Sequence, residues 1–355
     1  MIRISKRGSI SRGKALLIRV IAILLGVLFS AVLTTVTTGQ DPLDVFSAVV
    51  AGSFATERKF WLFLQNTSVL LCISLAVTPA FKMRCWNLGA EGQVLMGAMA
   101  ATACMVKLAD LLPNAVVILC MIVSSMLAGA LWALIPAFFK SRFNTNETLF
   151  TLMMNYVATQ IVAFFCVKWE NPKGSCKIGV VNAKTKIGWL PELGNKYMLV
   201  IITVILITVF MYFYLNYTKH GYELTVVGES ERTALYTGIK VNRVILRTMC
   251  LSGAICGIAG LLLTGAINHT VSTSLAGGQG FTAVMVSWLA KFNPFVMILT
   301  SALLIFLSTG AGEIATNCGL NHAFGDLLTG VLIFFIIGSE FFIDYQLSFH
   351  KKARR

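Results

Sequence analysis

Apolar residues along this chain come in long blocks rather than in alternation. Nine blocks reach about the 20 residues that cross a bilayer as a helix. They run near 15–38, 62–80, 86–108, 113–139, 147–167, 197–216, 244–266, 294–311 and 323–343. A further apolar stretch, 275–290, breaks the pattern. Its compact part, Phe281–Ala290, follows Gly277-Gly-Gln-Gly280 and is too short for an ordinary span. A broken or half-inserted helix of this kind is tolerated only where it is buried in protein or lines a cavity. The blocks predict an all-α, polytopic integral membrane protein of about ten transmembrane segments, one of them short or broken near 275–290.

Two polar runs interrupt the blocks. The first is Gly221–Gly238, between two apolar segments. Ser230 suits an N-cap, Glu231 the first turn and Gly238 the position after a C-cap. About two turns of helix are therefore predicted over 231–237. On that helix Arg232, Leu235 and Tyr236 share one side by i, i+3, i+4 spacing. An apolar pair beside a cation suits a protein–protein anchor; a solvated linker is the plainer alternative. The second run is Phe81–Gln93, where Trp86, Asn87, Glu91 and Gln93 enter an apolar block behind Lys82 and Arg84. An acidic residue at the centre of a span costs about 2.5–3.5 kcal/mol on insertion scales unless it is paired or wet. Glu91 is therefore either tethered to Lys82 or Arg84, or it opens a helix that faces a translocation path. Gly89, Gly92 and Gly97 admit a close helix neighbour, as does Gly253-x-x-x-Gly257. Glu147 and Asn155 share a helix face, with Tyr156 beside them. Interhelical hydrogen bonding is the first reading of that stripe and solute contact the second. Glu313, Asp326 and Glu340 sit near span ends and read as interfacial.

Composition agrees with the pattern. Hydrophobic residues make up 57% of the 355 and charged ones 12%, about half the charge of a soluble domain. The net charge of +14 is not a nucleic-acid signal in such a chain. Basic residues mark the cytoplasmic side of a membrane protein and meet anionic lipid. With the N-terminus inside and an even number of crossings, 20 of the 29 Lys and Arg fall inside, including 11 of the 12 Arg. The segment 168–196 dissents, with six Lys on the external side, but long loops obey the rule less strictly. The predicted organisation is a basic cytoplasmic tail over 1–14, one transmembrane domain over 15–343 and a second basic tail over 344–355. Within the domain, 168–196 is an external loop and 217–243 a cytoplasmic segment. The first block lacks a small-x-small cleavage site and reads as an uncleaved span.

Catalytic chemistry is hard to find. Gly8-Ser-Ile-Ser-Arg-Gly13-Lys14 approaches a phosphate-binding loop, but Ala15 stands where a hydroxyl must bind Mg²⁺, and no strand precedes it. Nine cysteines (72, 85, 104, 120, 166, 176, 250, 256, 318) show no C-x-x-C, and Cys176 is the one expected to face outward. His220, His269, His322 and His350 are scattered and indicate no metal site. No nucleophile–base grouping or carboxylate pair emerges.

Five runs together resemble the permease subunits of ABC importers of the ribose and branched-chain amino acid type. They are Asn87-Leu-Gly-Ala-Glu-Gly-Gln93, Glu147-Thr-Leu-Phe-Thr-Leu-Met-Met-Asn155-Tyr156, Gly221-Tyr-Glu-Leu224 through Gly228-Glu229 to Gly238-Ile239, Leu251-Ser-Gly-Ala-Ile-Cys-Gly-Ile-Ala-Gly260-Leu261, and Gly278-Gln-Gly-Phe281. Their order and spacing over roughly 60–345 carry the match. Cys85, in place of a bulkier residue, and Trp288-Leu-Ala-Lys291, in place of a Gly-rich stretch, depart from the pattern and bear on substrate.

The resemblance implies half of a translocation path for a small polar solute, in a bacterial inner-membrane protein. Its nucleoside branch is the nearest; a simple sugar such as ribose or galactose, or a flavin, is the alternative. Candidate pathway residues are Trp86, Asn87, Glu91, Gln93, Asn155, Tyr156, Gln279 and Phe281. Glu223, Gly228, Glu229, Arg232, Leu235, Tyr236 and Gly238 would form the coupling segment. That segment docks on a cytoplasmic ATPase subunit, which carries ATP and Mg²⁺; this chain binds no cofactor and is not an enzyme. Further implied partners are a second, different permease and an extracytoplasmic substrate-binding lipoprotein, with membrane lipid around them. A self-sufficient secondary transporter or channel is the competing class, which would more often show repeated broken helices and several intramembrane acids.

Overall fold

A computed structural model of the protein describes residues 2–6, 11–39, 41–317, 319 and 322–349. Residues 8–10 of the run that approaches a phosphate-binding loop, Cys318 and the tail from His350 to Arg355 lie outside the described residues. The remainder of the Gly8–Lys14 run opens a helix: Ser11 is the N-cap of α1 (Arg12–Thr38), and its side chain accepts the Lys14 amide.

The order continues with α2 (Pro42–Phe54), α3 (Glu57–Lys82), α4 (Ala90–Leu108), α5 (Asn114–Phe143), α6 (Glu147–Lys168) and α7 (Met198–Tyr217). Two short helices follow, α8 (Lys219–Glu229) and α9 (Glu231–Tyr236). Then come α10 (Val241–Leu262), which runs into a π turn at Leu263–Asn268, α11 (Gln279–Leu289), α12 (Pro294–Asn317) and α13 (His322–Asp344). Among the described residues, eight helices are long and apolar enough to cross a membrane: α1, α3, α5, α6, α7, α10 with its π turn, α12 and α13. The body of the chain is all-α, as the blocks predict. The addition is an antiparallel ladder, β1 (Ile2–Lys6) with β2 (Tyr345–Phe349), in register from Ile2 opposite Phe349 to Lys6 opposite Tyr345.

Two helices have no counterpart among the predicted blocks. α2 is 13 residues long, about 20 Å at 1.5 Å per residue, and so falls short of a span. It starts at Pro42, a first-turn position where the missing N–H is no loss. α8 starts after Thr218, whose hydroxyl accepts the Gly221 amide at 3.1 Å.

The chain divides into two compact units, residues 1–63 with 302–355, and residues 64–301. In the first, Ala31, Ala48, Val49, Ala311, Ile314 and Leu328 form the core. Arg19 donates from Nε to Glu340 at 2.8 Å, and Lys59 Nζ lies 2.8 Å from Glu313. Each carboxylate is thus neutralised where an unpaired charge would be costly. In the second unit, α4, α5 and α10 pack backbone to backbone. A Cβ on Gly97 would lie 2.5 Å from the Gly257 Cα, and one on Gly129 would collide with the Gly253 carbonyl. The Gly253-x-x-x-Gly257 pattern is therefore a packing face, as the spacing predicts.

Candidate functional site

The chain between α3 and α4 is irregular, yet most of it is buried, so its polar backbone must find partners. Polar residues of α6, and of the segment itself, supply them. Thr151 Oγ1 accepts the Leu88 amide at 3.1 Å, and Asn155 Nδ2 donates to the Leu88 carbonyl at 2.8 Å. Asn155 Oδ1 also accepts the Gly92 amide at 2.9 Å. Asn87, fully buried, accepts from the Gly89 amide and from Gln93 Nε2, and donates to Ser252 Oγ on α10 at 3.0 Å. Asn87, Gln93 and Asn155 are thus brought together as a knot that fixes the start of α4. For Asn155 this is the interhelical bonding of the first reading. Glu147 faces Lys140 at 2.9 Å. Tyr156, one residue past Asn155, points outward and is 65% exposed.

Glu91, in the first turn of α4, makes neither of the expected tethers. Instead its carboxylate receives the start of α11: Oε1 accepts the Gly278 amide at 2.9 Å and Oε2 the Gly280 amide at 2.8 Å. An anion on amides at a helix N-terminus is favoured by both hydrogen bonding and the helix dipole. Gly278 sits at φ +75° as the N-cap, and a Cβ on Gly280 would come within 2.6 Å of the Glu91 nitrogen. Both glycines are therefore required by geometry. Beside this cap, Gln279 has a buried Oε1 with no hydrogen-bond partner, and Phe281 is exposed. α11 has 11 residues, about 16 Å of axis. The stretch 269–278 and α11 together form a broken segment, as the Gly-rich entry predicts.

At the far end of α11, Trp288 stacks on Trp86 with ring centroids 5.5 Å apart. Phe81 packs edge-on against both rings. These rings border a cavity of about 410 Å³ that also meets Lys82, Arg84 and α8. Trp86 is thus placed about the length of α11 from the Glu91 cap. The sequence marks Trp288 only as a departure from the family pattern and does not predict its partnership with Trp86. No local pattern pairs residues so distant in the chain.

The polar insert folds into two helices. Ser230 caps α9 through the Thr233 amide, as predicted. Gly238, at φ +78°, closes it: the Gly238 amide donates to Leu235 and the Ile239 amide to Ala234, the Schellman arrangement. Ala234 is buried, while Arg232, Leu235 and Tyr236 are exposed, Tyr236 at 92%. Glu223 and Gly228 face inward instead. Glu223 accepts from Arg247 Nη2 of α10 at 2.9 Å, and this bond holds its carboxyl below the usual carboxylate range. α8 passes so close to the end of α3 that a Cβ on Gly228 would strike the Lys82 carbonyl. Glu229 is exposed.

The opposite end of α10, at its π turn, carries a structured cap made by residues 168–196. The Leu190 amide uses the Gly265 carbonyl in the π turn at 2.9 Å, and the Val181 amide uses the His269 carbonyl at 2.9 Å. Trp189 stacks flat on His269 at 3.7 Å, and burial pushes the His269 imidazole pKa down. Cys176 in this loop is exposed, as expected.

Eight helices long and apolar enough to cross a membrane, a short broken segment and an exposed two-helix insert are the parts of a multi-pass membrane protein. The chain belongs to the family described as branched-chain amino acid transport system / permease component, whose model matches residues 60–337, and it is a multi-pass protein of the bacterial inner membrane. Among curated proteins, the guanosine ABC transporter permease protein NupP of Bacillus subtilis is 28% identical over 335 residues, 93% of this chain and 95% of its own length. The nucleoside ABC transporter permease protein NupB of Lactococcus lactis subsp. cremoris is 25% identical over 347 residues, 95% of this chain and 94% of its own. The glucose ABC transporter permease protein TsgB13 of Haloferax volcanii is 24% identical over 327 residues, 88% and 84% of the two chains.

Proposed function

We propose that this chain is one permease of an ATP-driven nucleoside importer. The observation that carries the reading is its likeness along nearly the whole chain to the guanosine and nucleoside permeases. The site chemistry supports it. Glu91 holds the start of α11 through the Gly278 and Gly280 amides, and Gln279 keeps a buried, unpartnered Oε1. Beside them the exposed Phe281 ring offers an aromatic face that suits a nucleoside base. Trp86 and Trp288 supply a flat platform at the other end of α11. Asn87, Gln93 and Asn155 act behind this surface by holding α4.

The segment 217–243 is the coupling segment. Arg232, Leu235 and Tyr236 meet a separate ATPase subunit, which binds ATP and Mg²⁺. Glu223 and Gly228 hold the segment on α10 and α3, so that a push on α9 reaches the spans. Both termini are cytoplasmic. The pairing of β1 with β2 supports an even number of crossings, and the Lys and Arg partition supports the side. The capped loop 168–196 faces a substrate-binding lipoprotein, and a second, different permease completes the path. The test is the thermal shift of the cognate binding lipoprotein against nucleosides, simple sugars and flavins. A shift with nucleosides is expected; a shift with sugars or flavins alone would reassign the cargo.

A further inference from the structure

A second concave site lies at the base of the coupling segment. Lys219, His220 and Glu223 of α8 face Lys240, Arg243 and Arg247 at the start of α10 around a cavity of about 420 Å³. Four permanent cations thus share one carboxylate, and that carboxylate is already committed to Arg247 at 2.9 Å and lies 3.7 Å from His220. Among the described residues, no carboxylate comes within ion-pair distance of Lys219, Lys240 or Arg243. Arg247 Nε is buried without a partner.

The helix beneath makes the imbalance worse. α10 has no side-chain cap, Lys240 stands at its N-cap, and Arg243 lies in its first turn. Helix N-termini favour anions, and cations there are of the wrong sign. An inside-facing surface accounts for scattered basic residues. It does not account for a buried, unpartnered guanidinium nitrogen beside three exposed cations at an uncapped helix start.

The depth of the site selects the anion. Tyr217, the last residue of α7, and Tyr222 on α8 are both exposed. Exposed tyrosines at the end of a span mark the headgroup level of a bilayer. Lys219 follows Tyr217 by two positions. Arginine forks match phosphate oxygens.

We infer that this cavity binds the phosphate of an anionic phospholipid headgroup in the cytoplasmic leaflet. The bound phosphate neutralises the start of α10 directly behind Gly238 and Ile239, so lipid charge steadies the coupling segment. That consequence rests on the transport reading; the binding itself does not.

The test measures binding of spin-labelled phosphatidylglycerol and phosphatidylcholine to the purified full-length chain by electron paramagnetic resonance. Substrate and ATP are absent, so its failure is separate from failure of the transport reading. An immobilised phosphatidylglycerol component is expected, weakened about fivefold by Arg243→Gln, the loss of one basic residue near an anionic surface. Arg243→Lys should retain it, and so exclude a folding defect. Should Arg243→Gln not purify as a monodisperse species, Lys240→Gln supplies the same comparison. Equal immobilisation of both lipids on the unmodified chain would overturn the proposal. So would unchanged phosphatidylglycerol binding in the Gln variants. Displacement of the lipid by millimolar inorganic phosphate would assign the cavity to a soluble phosphate instead, and would also overturn it.

Discussion

The Glu91 carboxylate and the Gly280 amide meet at 2.8 Å, a contact that exists only because residue 280 has no side chain. The pair joins the start of α4 to the start of the half-helix α11, and places a charge where a membrane protein would otherwise avoid one. Glu91 is thereby satisfied by backbone rather than by a basic side chain. Its second oxygen holds the Gly278 amide, so one side chain sets both the position and the polarity of the broken segment.

Glu91→Gln keeps the shape and one acceptor oxygen but sets an amide NH₂ against a backbone N–H. Hydrogen bonds to charged groups are worth about 1.5–3 kcal/mol. Nucleoside uptake should fall about tenfold or more for a loss of 1.4 kcal/mol or above, at an unchanged protein level. Immunoblotting beside an uptake assay checks this. Normal uptake at normal level would remove Glu91 from the path, and a fall in protein level would make its role structural.

Gly257→Leu should abolish a monodisperse peak in detergent size-exclusion chromatography. Its side chain would enter the backbone of α5, where a Cβ alone already meets the Ser125 carbonyl. Overpacking costs about 1–3 kcal/mol and occasionally more. Gly330→Ala is the control, because nothing lies within 4 Å of a Cβ there; it should behave as the unmodified chain.

Gly238→Val forces a β-branched residue to φ +78°, a strain of about 1–2 kcal/mol, and should misplace the end of α9. Tyr236→Ala removes the most exposed anchor. Both should lower copurification of the ATPase subunit or uncouple hydrolysis from uptake, while docking of the binding lipoprotein stays unchanged. Full copurification and uptake in both variants would return the segment to a plain linker.

Arg247→Gln should change the acid sensitivity of the chain. The hydrogen bond from Arg247 lowers the Glu223 pKa in the folded state. The pair therefore contributes fully above the unfolded carboxylate value, about 4.3, and its contribution is lost as pH falls through the lower folded value. Thermal melts should show the unmodified chain more stable than the variant near neutral pH, with the gap closing below about pH 4.3. A gap that stays constant to strongly acid pH would contradict the assignment.

The spans were legible because each apolar block is long enough to act alone. The α9 helix was legible because Ser230 and Gly238 announce both of its ends. α2 was missed because 13 residues fall below the length a span needs, although Pro42 marks a helix start. α8 was missed because its buried residues, Leu224 and Val227 among them, are spaced apart rather than forming a run. The polar residues of the site stand out as misfits in apolar blocks, but sequence position alone does not separate their roles. Asn87 and Asn155 look the same as Glu91 and Gln279 along the chain. Only the fold shows that the first two spend their groups on nearby backbone and Ser252, whereas Gln279 keeps a free acceptor. The Trp86–Trp288 stack brings together positions about 200 apart, which no local pattern reports.

The most direct test of a coupled permease is nucleoside uptake into proteoliposomes holding this chain and its partner permease, with the binding lipoprotein outside and ATP within. Uptake and substrate-stimulated hydrolysis are expected only when the ATPase subunit is added, and a cysteine at position 235 should cross-link to that subunit. Nucleoside accumulation without the ATPase would contradict it.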